Sequence, residues 1–578
     1  MAQEQKAELM KASDYIAETL SNHGVRYVFE VSGGMITHLL DSINKQGKIR
    51  IVSVHHEQAA AFAADAVGRM TGVPGVAMAT SGPGATNLLT GMGSCYFDSS
   101  PAVFITGQVN RDEQKGDRKI RQLGFQETNI VVMAGPITKA AWKAGAVEEL
   151  PELLERAFAT AVDGRPGPVL VDVPMDIQRM AVTHPVPLVT ARAMAPGPPA
   201  AVVSDALGQL RNARRPLVLV GGGIRSGLAT DLLREFAALL GVPVVHSLMG
   251  VDILPHDDVL RVGMIGTYGN RWANVALGNS DCILVLGSRL DVRQTGADTA
   301  AFMGGRSIIH VDCEPGEINN RLSGCTAIVS EMRSFLEVAL SVVTPQNHSE
   351  WFAEIAAWRE QWPDIDEQPN LKGINPNVVM HTLSAHSAAA SAFVVDVGNH
   401  QMWAAQSLDL NADQRFLTSG GMGSMGFALP AAVGAAVCSG KPVVVVAGDG
   451  GFQCNLQELQ TVVRNKLPMK IVIINNRCHG MVRQFQESYF EARYQSTLWG
   501  YDAPDFASVA RAYGMQGLTV EKPEDVEAGV KELWKDPSAP GLLQVMIDTY
   551  ANAYPKIAFG RPITEMEPFA KPIEMEST

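Results

Sequence analysis

Three short runs of consecutive apolar residues, each closed by a glycine-rich turn, punctuate the chain at Pro74–Gly84, Arg215–Gly223 and Pro442–Gly451. Continuous apolar positions, as opposed to alternating ones, predict strands buried on both faces, the pattern of parallel sheets. The turn that follows each run predicts a strand feeding directly into a helix. Around these runs lie alanine-rich stretches of helical pattern, such as Gln58–Met70 and Leu429–Val437. Strands alternating with helices along the whole chain predict an α/β fold of doubly wound, mainly parallel sheets.

A length of 578 residues with 46% hydrophobic content is more than one compact core uses, so three domains are expected. Two segments read as linkers: Pro185–Ala200, rich in proline and alanine, and the polar Ser341–Ser349, which precedes a tryptophan-containing helical stretch. They divide the chain into domains over 1–185, 195–340 and 365–550. The tail over 551–578 carries Pro555, Pro562, Pro568 and Pro572 and is expected to wrap a surface in extended form.

Charge and cysteine usage narrow the functions. Acidic residues exceed basic ones by 60 to 47, a formal charge of −13, and no lysine- or arginine-rich run forms a phosphate-tracking stripe, which argues against nucleic-acid binding. The first twenty residues are broken by Glu4, Lys6, Glu8, Lys11, Asp14 and Glu18, and no later apolar span reaches membrane length, so a soluble cytoplasmic protein is expected. The seven cysteines never fall in CxxC pairs, which predicts reduced thiols and neither a disulfide framework nor a cysteine zinc site.

The candidate chemistry lies at two strand ends. Val443–Val446 leads into Gly448-Asp449-Gly450-Gly451, and Ile471–Ile474 ends at Asn475-Asn476, which puts Asp449 and Asn476 27 positions apart. Two strand ends of one sheet can place a carboxylate and an amide oxygen around one hard cation, while glycines let backbone N–H groups approach a diphosphate. The loop Thr80–Asn87 reads either as an anion- or substrate-binding turn or as a plain surface turn.

The GDG…NN pattern resembles the thiamine-diphosphate signature, in which Asp449, Asn476 and the backbone carbonyl of Cys478 hold magnesium. Joined by His56-Glu57-Gln58, Thr80–Asn87, Phe125-Gln126-Glu127, Pro136–Lys139, His400–Trp403 and Ser419–Pro430, it makes the chain resemble the acetolactate synthase family up to about Gly500. The resemblance implies that the Glu57 carboxyl lies against the coenzyme's aminopyrimidine and activates it, with Pro83 and Asn87 beside the same ring and Gln126 on the reacting substrate. It further implies that Gly398, Asn399 and His400 bind the diphosphate, with Gly450, Gly451, His479, Gly480 and Met481 as further cofactor positions. His400 or His479 would neutralise diphosphate charge or assist proton transfer. Gly423 and Met425 would support the bent coenzyme.

In the middle of the chain, Gly221-Gly222-Gly223, Ser247, Leu248, Arg289, Arg293 and Asp312 resemble the family's FAD-binding positions, although Tyr268 and Cys313 depart from its pattern. The implied reaction decarboxylates pyruvate or another 2-oxo acid and transfers the acyl carbanion to an acceptor carbonyl. Phe485 in place of a tryptophan, Asn399 in place of a glutamine and the unusual tail Tyr554–Phe569 also leave open an acetyl transfer to a keto-sugar nucleotide. A simple 2-oxo acid decarboxylase or oxidase is the third alternative. The family holds one coenzyme between two subunits, implying a homodimer or homotetramer; a regulatory subunit is left open.

Overall fold

A computed structural model of the protein describes residues 9–183 and 195–573; most of the expected linker Pro185–Ala200 lies outside them. Three six-stranded sheets follow one another along the chain. Within each, every neighbouring pair of strands is parallel. The three apolar runs become the strands Gly75–Ala79, Pro216–Val220 and Val443–Gly448, buried at every position, and each runs into a helix within a few residues. The fold is therefore α/β with doubly wound sheets.

Strand order defines where ligands can bind. Numbered by appearance in the chain, the strands of the first sheet lie in the order 2-1-3-4-6-5, and those of the third sheet repeat that order. The middle sheet has the order 3-2-1-4-5-6, that of dinucleotide-binding folds. In each sheet the order reverses beside the first strand, which opens a crevice at the carboxyl ends of two adjacent strands. In the first sheet this switch point is flanked by Tyr27–Val31 and Gly75–Ala79; in the middle sheet by Pro216–Val220 and Cys282–Leu286; in the third by Ala392–Val395 and Val443–Gly448.

The chain forms two compact units. One holds the first sheet together with 419–440 and 455–467; the other holds the middle and third sheets and the tail. In the first unit the helices Glu57–Thr71 and Ala428–Ser439 pack through alanine and glycine, because larger side chains would hold them apart. A Cβ on Gly434 would stand 2.2 Å from the Ala63 carbonyl oxygen. In the second unit the tail pairs Lys556–Ile557 with Met566–Glu567 and buries Ile557, Ile563 and Met566 in one apolar cluster with Leu217, Trp272 and Leu277. The Arg271 guanidinium binds Glu367 through two nitrogens and donates to the carbonyls of Met566 and Glu567, fixing that tail in place.

Candidate active site

In the first unit the functional centre is built at strand ends. The strand Arg50–Ser53 leads through His55 and His56 into the helix that Glu57 opens, with the His56 ring accepting the Gln58 N–H as its cap. Glu57 is buried and faces the loop after Gly75–Ala79. Its Oε2 accepts a 2.8 Å hydrogen bond from Asn87 Nδ2, and a Cβ on Gly84 would stand 3.2 Å from its Oε1. Pro83 occupies the first turn of the short helix that carries Asn87. Gly82 has φ +66° and backs directly onto Gln126, itself at φ +66°; a Cβ there would lie 2.9 Å from that of Gln126. Glu57, Pro83, Asn87 and Gln126, spread over 70 positions of sequence, thus converge.

Two supports of this centre were not legible locally. Glu458 accepts from the His55 N–H and from Thr461, while Asn455 donates to the Gln58 side chain and to the Gly426 carbonyl, so 455–461 braces the turn that presents Glu57. Asp98 accepts the N–H groups of Gly420 and Gly421 and is itself held by Arg69, which also grips Asp65. The loop so anchored carries Gly423, at φ +67°, and a partly exposed Met425. The Ser424 hydroxyl is buried with no partner among the described residues.

The second unit carries the other centre. Gly448 pairs with Ile474 across adjacent parallel strands, so Asp449 and Asn476 emerge side by side although 27 positions separate them. The Cys478 N–H donates to Asn476 Oδ1. Burial pushes the Asp449 carboxyl up to about 6, only partly offset by hydrogen bonds from the Tyr501 hydroxyl, at 2.9 Å, and from nearby backbone N–H groups, that of Cys478 included. Tyr501 had no sequence signal, lying 52 positions beyond its partner.

Around these oxygens the backbone is bare. A Cβ on Gly451 would stand 2.7 Å from Asp396 Oδ1, one on Gly450 2.7 Å from the His479 ring, and one on Gly480 2.5 Å from Asn476 Nδ2. Gly398, Asn399 and His400 start a helix at the end of the strand Ala392–Val395, and Met481 lies in the first turn of the helix that begins at Gly480. Asn399 Oδ1 and His400 Nε2 are buried without partners among the described residues. Burial draws His400 down to about 3, against a weak opposing hydrogen bond to the Asp396 backbone, and burial lowers His479 as well.

The donor set of Asp449, Asn476 and the Cys478 carbonyl is all oxygen, which fits a hard divalent cation, and the glycine-lined strand ends with their orphaned polar atoms fit an anionic group beside it. The middle sheet offers a third crevice. Gly221 and Gly223 pack against Gly287, where Cβ atoms would come within 2.2 Å and 2.7 Å of its backbone, so close packing alone demands these glycines, while Gly222 lies against Met249. Ser247 and Leu248 follow the strand Val244–His246, Asp312 ends Ser307–Asp312, and Arg289 is paired with Asp291. Arg293 is exposed in the adjoining short helix, and its carbonyl accepts from Thr267. The dinucleotide strand order and the His246 Nε2 at the same edge, buried without a partner among the described residues, fit a nucleotide cofactor.

Two α/β sheets of identical strand order, one carrying a buried acid and the other a glycine-lined, oxygen-bearing edge that fits a metal and a diphosphate, are what a cofactor-dependent enzyme requires. The chain matches the thiamine pyrophosphate enzymes in three parts: the N-terminal TPP binding domain over residues 10–133, the central domain over 203–338 and the C-terminal TPP binding domain over 396–545. It is similar to the acetolactate synthase isozyme 2 large subunit of Escherichia coli (strain K12), 37% identical over 558 residues that cover 96% of this chain and 99% of that protein. The acetolactate synthase large subunit of Parasynechococcus marenigrum (strain WH8102) is 36% identical over 95% of this chain and 90% of its own length. The probable acetolactate synthase 2, chloroplastic, of Oryza sativa subsp. japonica is 37% identical over 95% of this chain and 84% of its own. The chain belongs to the thiamine-diphosphate-dependent enzymes of the acetolactate synthase family.

Proposed function

We propose that this thiamine-diphosphate-dependent carboligase decarboxylates pyruvate and joins the remaining two-carbon acyl unit to the carbonyl of a second 2-oxo acid, as the names of its relatives indicate for them. The bond to the donor carboxylate breaks and carbon dioxide leaves; a carbon–carbon bond to the acceptor forms, and the acceptor oxygen takes a proton. When bound, the coenzyme supplies the carbon nucleophile and the electron sink for this exchange. The observation that carries the reading is the Glu57–Asn87 pair: with Oε2 held by Asn87, Oε1 is the atom left to take and return a proton on the aminopyrimidine. Gln126 and the Gly82 turn orient the substrate beside it.

Magnesium would be held by Asp449, Asn476 and the Cys478 carbonyl, with Gly398, Asn399, His400, Gly450, Gly451, His479, Gly480 and Met481 around the diphosphate. His400 or His479 would neutralise diphosphate charge or assist proton transfer there. FAD would lie across the middle sheet on Gly221–Gly223, Ser247, Leu248, Arg289, Arg293 and Asp312. A cytoplasmic location is consistent with the finding that no helix among the described residues is long and apolar enough to cross a membrane.

One observation favours testing other acceptors. Phe485, 41% exposed, lies in an aromatic cluster with Tyr489 and Phe490, and the tail's Phe559 packs on Tyr489, so the unusual tail contributes to the surroundings of Phe485. Carbon dioxide release from pyruvate, with and without thiamine diphosphate and magnesium, followed by mass analysis of products over pyruvate, 2-oxobutyrate and a keto-sugar nucleotide, tests the proposal. Cofactor-dependent release with a ligated 2-oxo acid product supports it. Ligation only to the sugar nucleotide, or release of free acetaldehyde or acetate, rejects it.

Glu57 falls in one compact unit and Asp449 in the other, and a homodimer that completes each site from two chains is the assembly we infer. Co-expression of the inactive variants E57Q and D449N then restores activity, because one site of each mixed dimer is intact. No recovery on mixing would refute a shared site.

A further inference from the structure

Away from both centres, the helix Ser349–Gln361 and the segment 259–262 flank an open cavity of about 660 Å³, a size typical of small-molecule sites. It lies at the amino ends of the middle sheet's strands, next to Gly241 and the start of Arg261–Met264, whereas the Gly221 and Gly287 turns lie at the carboxyl ends. Its walls are largely apolar, with Val259, Leu260, Val262, Phe352 and Ile355 the main contributors. Among them stand Arg261, Arg359 and His348, and the described lining contains no Asp or Glu, in a molecule whose formal charge is −13.

Arg261 is the telling residue. Its Nε is buried with no partner among the described residues. The two carboxylates that act on it are engaged elsewhere: Asp258 accepts the Leu260 N–H, and Asp409 accepts from His381. Burial and the neighbouring positive charge of Arg359 draw Arg261 down to about 10, so near neutral pH it is a cation facing a cation. The charges of Asp258 and Asp409 offset this only in part, and an anionic ligand on the Arg261 guanidinium would offset it further. The amino end of the 13-residue helix, with Asn347, His348 and Ser349 at the cavity mouth, adds a partial positive charge of the same sign.

We propose that this cavity binds an organic carboxylate with an apolar body of about aromatic-ring size, its carboxylate on Arg261 and Arg359 and its body against Phe352 and Ile355. None of these residues belongs to the cofactor or substrate centres, so the ligand is a further one and neither donor nor acceptor.

Titration calorimetry of the full-length enzyme loaded with thiamine diphosphate and magnesium, using 4-phenylbutyrate as probe, tests this. Saturable binding is expected, with affinity at least about tenfold weaker in R261M and R359Q and abolished in A356W, which fills the cavity from an exposed helix position. The uncharged 4-phenylbutyramide should bind at least about tenfold more weakly than the carboxylate. Absence of binding, equal binding by the amide, equal binding by inorganic phosphate, or unchanged binding in A356W and R359Q with native circular dichroism would each overturn the proposal.

Discussion

Glu57 begins its helix with one carboxylate oxygen held by Asn87 and the other beside the bare backbone of Gly84. Replacing it with glutamine keeps the shape and removes the proton carrier, so E57Q should lower the turnover of carbon dioxide release by about 10²–10⁴-fold without changing the unfolding midpoint by more than a few degrees. Steady-state kinetics and a thermal scan check this; normal turnover would refute the role. His381 gives a prediction of a different kind. Burial disfavours its charge, but the hydrogen bonds and charges of Asp364 and Asp409 outweigh burial and push it up to about 10. A group raised in the folded state stabilises fully below its unfolded value, about 6.5. That contribution is lost as pH climbs through about 10. The unfolding midpoint should therefore fall between pH 7 and 10 more steeply for the native protein than for H381Q, and equal slopes would contradict it.

At the scale of elements, the close approach of Glu57–Thr71 to Ala428–Ser439 rests on residues without bulk. A methyl on Gly434 meets the Ala63 carbonyl at 2.2 Å, so G434A must push the helices apart, at a cost of about 1–3 kcal/mol. The seam begins at Glu57, so the half-saturating thiamine diphosphate concentration should rise along with the loss of stability. Denaturant titration and cofactor-dependence curves read the two effects, and a stable G434A with unchanged cofactor demand would show that the seam tolerates spreading. The alanine pattern of both helices was legible in the sequence as helix; that the two lie on each other was not, since 27 positions of helical period say nothing about which distant face they meet.

For the whole molecule, the tail is structural as well as extended. Removing 554–578 takes Ile557, Ile563 and Met566 out of the cluster with Trp272 and Leu277, breaks the buried Lys556–Glu567 ion pair and strips Arg271 of two carbonyl acceptors. Full burial of each apolar side chain contributes about 1.5–3 kcal/mol, so the truncated protein should unfold at a clearly lower temperature and acquire protease sensitivity in the middle sheet's helices. An unchanged midpoint would show that the tail merely lies on the surface.

Local sequence determined the strand–turn–helix units, because buried parallel strands need unbroken apolar runs and the turns after them need glycine. It also determined the Asp449 and Asn476 pair, since adjacent parallel strands joined by one crossover deliver both ends to the same edge. Only the tertiary structure decided which remote groups complete each centre. Tyr501, Asp396, Glu458 and Asn455 reach their partners by packing across elements, and no periodicity or spacing encodes that approach. The same holds for the lowered titration of His400 and the orphaned Nε of Arg261, because burial and the placing of neighbouring groups are properties of the folded surroundings and not of the residues themselves.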